Sequence, residues 1–331
     1  MKRSFRFVKQ NPDDHEGWVS KKETKKKTTG VKEFDDIPIY TMTMVIVSNW
    51  IVDIEKLFHN LPITPFTIIP KKRGRKKGDP VEDPNKDIPI GSVISIISDN
   101  KHRGVILKEK KRKEKKTSAI GFRNSISIVI KVSKDKFINT KLSKNGKFQV
   151  TGSKDLSHTL SCLDYMWRYI QALGVYRFKN EETVPRCVVK VVMTNINYHI
   201  GYSINRQALD MHMNTNTRFV SIYIPTYRYS GVNIKFPAKN HVDDRLKSVY
   251  WNDDGKMIVT QGMYRQYLNL LSDKDRKKEE NRDRYHTWLI FQSGSVIQSG
   301  PNYSEMKKMR AMFMDILQKH KYTIQERVIQ K

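Results

Sequence analysis

The stretch "LIFQSGSVIQSG", residues 289–300, decides how this chain is read. Residues Thr287 to Phe291 are aromatic, β-branched or aliphatic, the composition of a strand. Gln292-Ser293-Gly294 is a tight-turn signal, because glycine takes the positive φ such turns need. Ser295 to Ser299 then resumes as a second strand. A hairpin alone is marginal in water, so this one must belong to a larger sheet.

The pattern occurs twice. "NGKFQVTGSK" at 145–154 has the same form as "SGSVIQSGPN" at 293–302: a turn glycine, four strand residues, then a Thr-Gly or Ser-Gly stop. A helix is expected after each. Leu156, Leu160, Leu163, Trp167 and Ile170 recur at spacings of three and four, and so do Met306, Met309, Phe313 and Ile316. Methionines at that spacing fill a core more often than they bind a cofactor. Upstream, "HRGVILK" at 102–108 echoes "YSGVNIK" at 229–235, and "MVIVSNWIVDIEKLF" at 44–58 parallels "NINYHIGYSINRQAL" at 195–209. Strand, short helix, several strands with a closing hairpin, and long helix therefore follow one another twice. Helices segregated over an antiparallel sheet make this an α+β fold, with one sheet face covered and the other free.

The chain has 331 residues, of which 62 are Lys or Arg and 34 are Asp or Glu, a net charge of +28. An excess of that size points to a polyanionic partner, most often nucleic acid. Cys162 and Cys187 give no disulfide or metal framework and read as core residues. No apolar run approaches the roughly 20 residues of a membrane span, and the basic start lacks a signal-peptide core. An intracellular, reducing compartment is expected.

Residues 1–36 read as a basic, disordered tail. Charged insertions are expected at 71–90, 108–120 and 238–284, the last ending in "SDKDRKKEENRDR" at 272–284, with a solvated charged face as their default reading. Arg73 and Arg75, in "PKKRGRKKG", could enter an AT-rich minor groove, whose narrow walls concentrate negative potential. The same letters suit a nuclear-import signal or plain phosphate contacts.

The doubled unit resembles the TATA-binding-protein family, whose saddle is two such halves in one chain. "TWLIFQSGSVIQSGPN" (287–302) looks like the family's second-half hairpin, "NGKFQVTGSK" like its first-half counterpart, and "YSGVNIK" like its Phe-Pro-Gly-Leu-Ile-Tyr-Arg segment. The resemblance covers roughly 38–175 and 188–322. It implies two tandem pseudo-symmetric repeats forming a curved antiparallel sheet with helices on one face. The long insertions suggest a large-DNA-virus or protist version.

The resemblance also implies a site. Family members lay the concave sheet on the DNA minor groove and wedge phenylalanines between base steps. The second-half wedge positions fall on Phe291 and Tyr229, and the first-half ones on His102 and Leu142. The family's hairpin threonines match Thr151 and Ser299. Its groove-reading asparagines fall on Thr41 and Met193, with Asn195 two residues along on the same strand face. Alternation alone puts Lys147, Gln149 and Thr151 on one face of the first hairpin and Phe148 and Val150 on the other.

The chain carries no phosphate-binding loop, zinc spacing or nucleophile elbow, and His158 and His199 are isolated. A non-enzymatic DNA-binding factor of transcription initiation is expected. It would need no cofactor, act as a monomer on duplex DNA, and recruit initiation factors and RNA polymerase in the nucleus, a cytoplasmic virus factory or the virion. The alternative is a genome-packaging protein that coats DNA by charge. A nuclease or glycosylase using such a sheet to dock is a third class.

Overall fold

The computed structural model describes residues 32–69, 83–99, 101–107, 124–225, 231–238 and 245–326. After a 3-10 turn at Phe34–Asp36, the first half runs β1 (Ile39–Ser48), β2 (Trp50–Val52), α1 (Ile54–Asn60), β3 (Val93–Ser98), β4 (Lys101–Gly104), β5 (Ser125–Ser133), β6 (Lys136–Ser143), β7 (Lys147–Ser153) and α2 (Leu156–Ala172). A short β8 (Tyr176–Phe178) pairs only with β2. The second half runs β9 (Arg186–His199), α3 (Arg206–Asn216), β10 (Val220–Ile222) and β11 (Val232–Pro237). Next come β12 (Lys247–Trp251), β13 (Met257–Gln261), α4 (Tyr264–Asn269) and α5 (Asp273–Glu280). It closes with β14 (Tyr285–Ile290), β15 (Ser295–Gly300), α6 (Tyr303–Lys319) and α7 (Lys321–Ile324).

The main sheet is antiparallel and open, in the order β10-β11-β14-β15-β9-β1-β7-β6-β5-β3-β4, with β12 and β13 added along β9. Outward from the β9–β1 pair the two sides read alike. Each half begins with the central strand, crosses by a short helix to an outer strand, returns strand by strand, and ends in a 17-residue helix. The starts of α1 and α3 are capped alike: Asp53 accepts from Lys56 N and Asn205 from Ala208 N, both at 3.0 Å. The long helices are capped by Asp155 and Asn302 in the same way. Such caps contribute about 0.5–2 kcal/mol each.

The two closing hairpins share a stricter constraint. Gly146 and Gly294 have φ of 75° and 83°. A Cβ on Gly146 would lie 1.9 Å from Trp50 O, and one on Gly294 would lie 2.1 Å from Tyr202 O. Both turns therefore seat against the strand-to-helix crossover of their own half, and only glycine fits.

Register decides which face is covered. Met42, Met44 and Ile46 of β1 pack with Phe148, Leu163 and Trp167 in one core. Ile196 of β9 packs with Leu209, Trp288 and Phe313 in a second. Met42 pairs with Thr194, which lies two residues from Ile196, so both cores and their helices occupy the same face. Cys162 and Cys187 are free and buried in the first core, where burial pushes the Cys162 thiol up to about 12.

Four expectations change. Residues 32–36 are not tail: Phe34 and Ile37 are buried in the second core, and the Phe34 ring lies 5.1 Å from that of Tyr303. The rest of the 1–36 tail, 1–31, lies outside the described residues. The echo of 102–108 with 229–235 is not structural. Residues 101–104 form an extra edge strand on β3, and the strand placed like β11 is β5. A Gly-Val pair and one lysine are too short a match to fix strand order.

Finally, the described part of the 238–284 insertion, 245–284, is not a solvated loop; residues 239–244 lie outside the described residues. Val249 and Trp251 of β12 enter the first core, and the Trp251 ring lies 5.4 Å from that of Trp167. The expected insertion at 71–90 likewise ends in structure, because the Asn85 side chain exchanges two 2.9 Å hydrogen bonds with the backbone of Thr67. Residues 70–82 and 108–123 lie outside the described residues.

Candidate nucleic-acid interface

The face opposite α2 and α6 is built of strand residues in continuous rows. Across the centre run Val220, Lys235, Thr287, Ser299, Asn195 and Thr41, each paired with the next. The adjoining row in the other half runs Met193, Thr43, Thr151, Asn139 and Val129. Hydroxyls, amides and branched apolar groups dominate. Among the described residues no strand contains an aspartate or glutamate, whereas lysines stand on this face at Lys141, Lys147 and Lys235.

Five of the residues singled out from sequence are brought together here. Thr41, Asn195 and Ser299 are consecutive in one row, and Thr151 sits one strand from it, opposite Thr43. Lys147 pairs with Val47 on the same face. Asn195 Oδ1 is shielded from solvent and has no hydrogen-bond partner among the described residues. A half-turn of the amide exchanges donor and acceptor, so what Asn195 bonds sets which end faces outward.

Phe291 follows the last residue of β14 and is half-buried at the turn, where its N–H donates to Ser295 O at 3.0 Å. Tyr229, Arg73 and Arg75 lie outside the described residues.

Two assignments are corrected. Leu142 is fully buried on the helix-covered face, in the first core. Leu142 pairs with Phe148 as Ile290 pairs with Val296, so the residue placed like Phe291 is Ser143. An error of one residue moves a side chain through the sheet. His102 is exposed on the outer edge strand β4, opposite Ile97, and is not the counterpart of Tyr229. His158 is next to Asp155 at 3.2 Å, and His199 bonds the hairpin backbone at Ser293 O, so both have structural partners.

One feature escaped the sequence reading. Val45 and Val47 point away from the first core and pack instead with Val188, Leu246, Tyr267 and Leu271. The segment carrying α4 and α5 therefore lies on the open face, over one end of the β1–β9 pair. Lys190, opposite Val45, is buried beneath it. Its Nζ bonds Glu279 and sits 4.9 and 4.8 Å from the ring centroids of Tyr264 and Tyr267. Arg284 Nη2 donates to the same carboxylate at 2.6 Å. Burial pushes the Glu279 carboxyl up, but Lys190, Arg284 and Arg282 outweigh it and hold it below the ordinary range. The only sequence signal was an acid–base mixture that reads equally well as a solvated helix.

Among the described residues no group of three or more His, Cys, Asp or Glu could hold a metal ion, and no helix is long and apolar enough to cross a membrane.

An α+β chain with an antiparallel sheet, its two long helices on one face and strands without aspartate or glutamate on the other, is the class that fold and site define. The chain is 24% identical over 246 residues to a TATA-box-binding protein-like protein of Acanthamoeba polyphaga mimivirus, covering 68% of this chain and 60% of that one. It is 27% identical over 223 residues to an uncharacterised protein of Invertebrate iridescent virus 6, covering 65% of each. The chain thus matches less than two thirds of the length of either relative. Among solved structures, Methanococcus jannaschii TBP aligns over 86% of this chain and 98% of its own, at 14% identity and a TM-score of 0.39. No family model matches. The resemblance read from the two hairpins is thus matched by a divergent similarity in sequence to a viral protein that bears the TATA-box-binding protein-like name.

Proposed function

We propose that the open face binds duplex DNA through the minor groove and bends it, and that the protein serves transcription initiation. The observation that carries this is the chemistry of the face: a carboxylate-free sheet whose central rows hold small hydroxyls, amides and branched apolar groups. The minor groove has few donors, so close apolar contact with a few amides suits it better than a dense charge array. Lys147 and Lys235 can neutralise the flanking phosphates.

The repeated strand order supports reading the chain as two tandem halves of a saddle. Phe291 supplies a wedge in the second half. With Ser143 in the like position of the first half, bending is concentrated in the second. The helix-covered face is then left for initiation factors and RNA polymerase. The protein acts by binding as a monomer, without catalysis or cofactor, and its place is wherever the viral or nuclear template is transcribed.

Selection of binding sites from random duplexes at fixed salt, followed by energy transfer between dyes at the ends of a short selected duplex, tests this. An A·T-rich consensus with a shortened end-to-end distance is expected. Sequence-blind binding without a bend would favour genome packaging by charge. Metal-dependent incision of the duplex would instead revive an enzyme.

A further inference from the structure

The two halves share a strand order but not a surface. In the second half the row next to the wedge runs Asn197, Ile297, Leu289 and Asn233, each paired with the next. In the first half the row in the same place runs Val45, Gln149, Lys141 and Ser127. Where one half presents Ile297 and Leu289, the other presents Gln149 and Lys141. Gln149 is exposed, and Lys141 is partly so. At the hairpin tip the contrast repeats, Phe291 against Ser143.

Resting on the reading of the open face as a minor-groove surface, we infer that Gln149 and Lys141 make the first half a hydrogen-bonding reader that accepts a G·C pair where the second half admits only A·T. The floor of the minor groove offers acceptors at every pair, and a G·C pair adds the guanine N2 amino donor. Branched apolar groups such as Ile297 and Leu289 leave that donor unpaired in a dry contact, which is costly. A glutamine amide has both a donor and an acceptor: Nε2 serves the acceptors of an A·T pair and Oε1 takes the guanine amino group. Lys141 Nζ, with three donors and no acceptor, serves the acceptors of either pair. The bound site is therefore unsymmetrical, and the protein lies on it in one orientation.

The test uses the full chain and a duplex set in which each A·T pair of a selected site is replaced in turn by G·C. Expected is a loss of about tenfold or more at positions in one half of the site and much less at one or more positions in the other. A Gln149→Ile/Lys141→Leu variant should abolish the tolerance at the permissive end. Ile297→Gln should create tolerance at the strict end. Both alter exposed or half-buried face positions, and thermal melting checks that each remains folded; Ile297→Gln alone suffices if the double variant does not. Equal strictness at both ends, or tolerance unmoved by either variant, would overturn the inference while leaving minor-groove binding intact. Failure of any duplex to bind would overturn both.

Discussion

Replacing Glu279 by glutamine removes the one carboxylate between two buried cations. Lys190 and Glu279 have side chains only 5% and 11% exposed, and Arg284 14%. In Glu279→Gln the ammonium of Lys190 keeps the rings of Tyr264 and Tyr267, a contact of about 2 kcal/mol when desolvated. It loses its counter-charge. Breaking a buried pair from one side costs about 3–5 kcal/mol. A ceiling follows from the alternative of losing the proton: from the ordinary lysine value of 10.5, neutralisation at pH 7 costs about 5 kcal/mol at 1.36 kcal/mol per unit. Burial already pulls Lys190 below that value, which lowers the ceiling further. The expected loss is thus about 3–4 kcal/mol. It should appear as lost amide protection in α4 and α5, because these helices meet the sheet through a small cluster. In Lys190→Met/Glu279→Gln the uncompensated lysine is gone, and more than half of the loss should return. Chemical denaturation of the two single variants and the double, with hydrogen exchange on each, measures the coupling. If the double variant is as unstable as the sum of the singles, the pair is not coupled and the account of the covered face is wrong.

Four further outcomes follow from the same geometry. Phe291→Ala should lower both the bend and the specific affinity, while Ser143→Phe should increase the bend, read by energy transfer across a bound duplex. Leu142→Ala should cost about 2–5 kcal/mol of stability in denaturant and leave the bend of the folded protein unchanged, because Leu142 faces the core. Gly294→Ala should cost about 1–3 kcal/mol or more from its positive φ, with the Tyr202 carbonyl clash added. Gly174→Ala, at φ of 60° with open space around it, should cost only about 1–2 kcal/mol. Burial holds His286 below its ordinary value of 6.5, although Glu305 opposes this from 3.1 Å. The unfolded chain then takes up a proton before the folded one does. His286 therefore withdraws stability as pH falls below about 6.5, and His286→Gln should flatten the melting temperature over that range.

The sequence by itself determined the local elements and their repetition. Alternation in "NGKFQVTGSK" and "SGSVIQSG" sets strand faces because side-chain direction has a period of two. Asp53, Asp155, Asn205 and Asn302 mark helix starts because a short oxygen-bearing side chain satisfies a free N–H one turn on. The glycines of both hairpins were legible because only glycine takes their φ. Thr151 was placed on the open face for the same periodic reason, whereas Thr41, Asn195 and Ser299 were assigned through the family resemblance.

Tertiary structure decided what depends on contacts distant in sequence. Whether Leu142 or Ser143 stands in the tip position depends on cross-strand register, and the pairing of Leu142 with Phe148 and of Ile290 with Val296 gives the two hairpins the same span. Whether 101–104 or 125–133 is the strand placed like β11 depends on sheet order, to which a short echo contributes nothing. Phe34 belongs to a core built mainly from residues beyond 190. The charged helix at 273–280 looks solvated in isolation, since none of its residues forms an apolar stripe. Only folding brings Glu279 onto Lys190, because their attraction operates at contact distance in a water-poor site and leaves no periodic trace in the sequence.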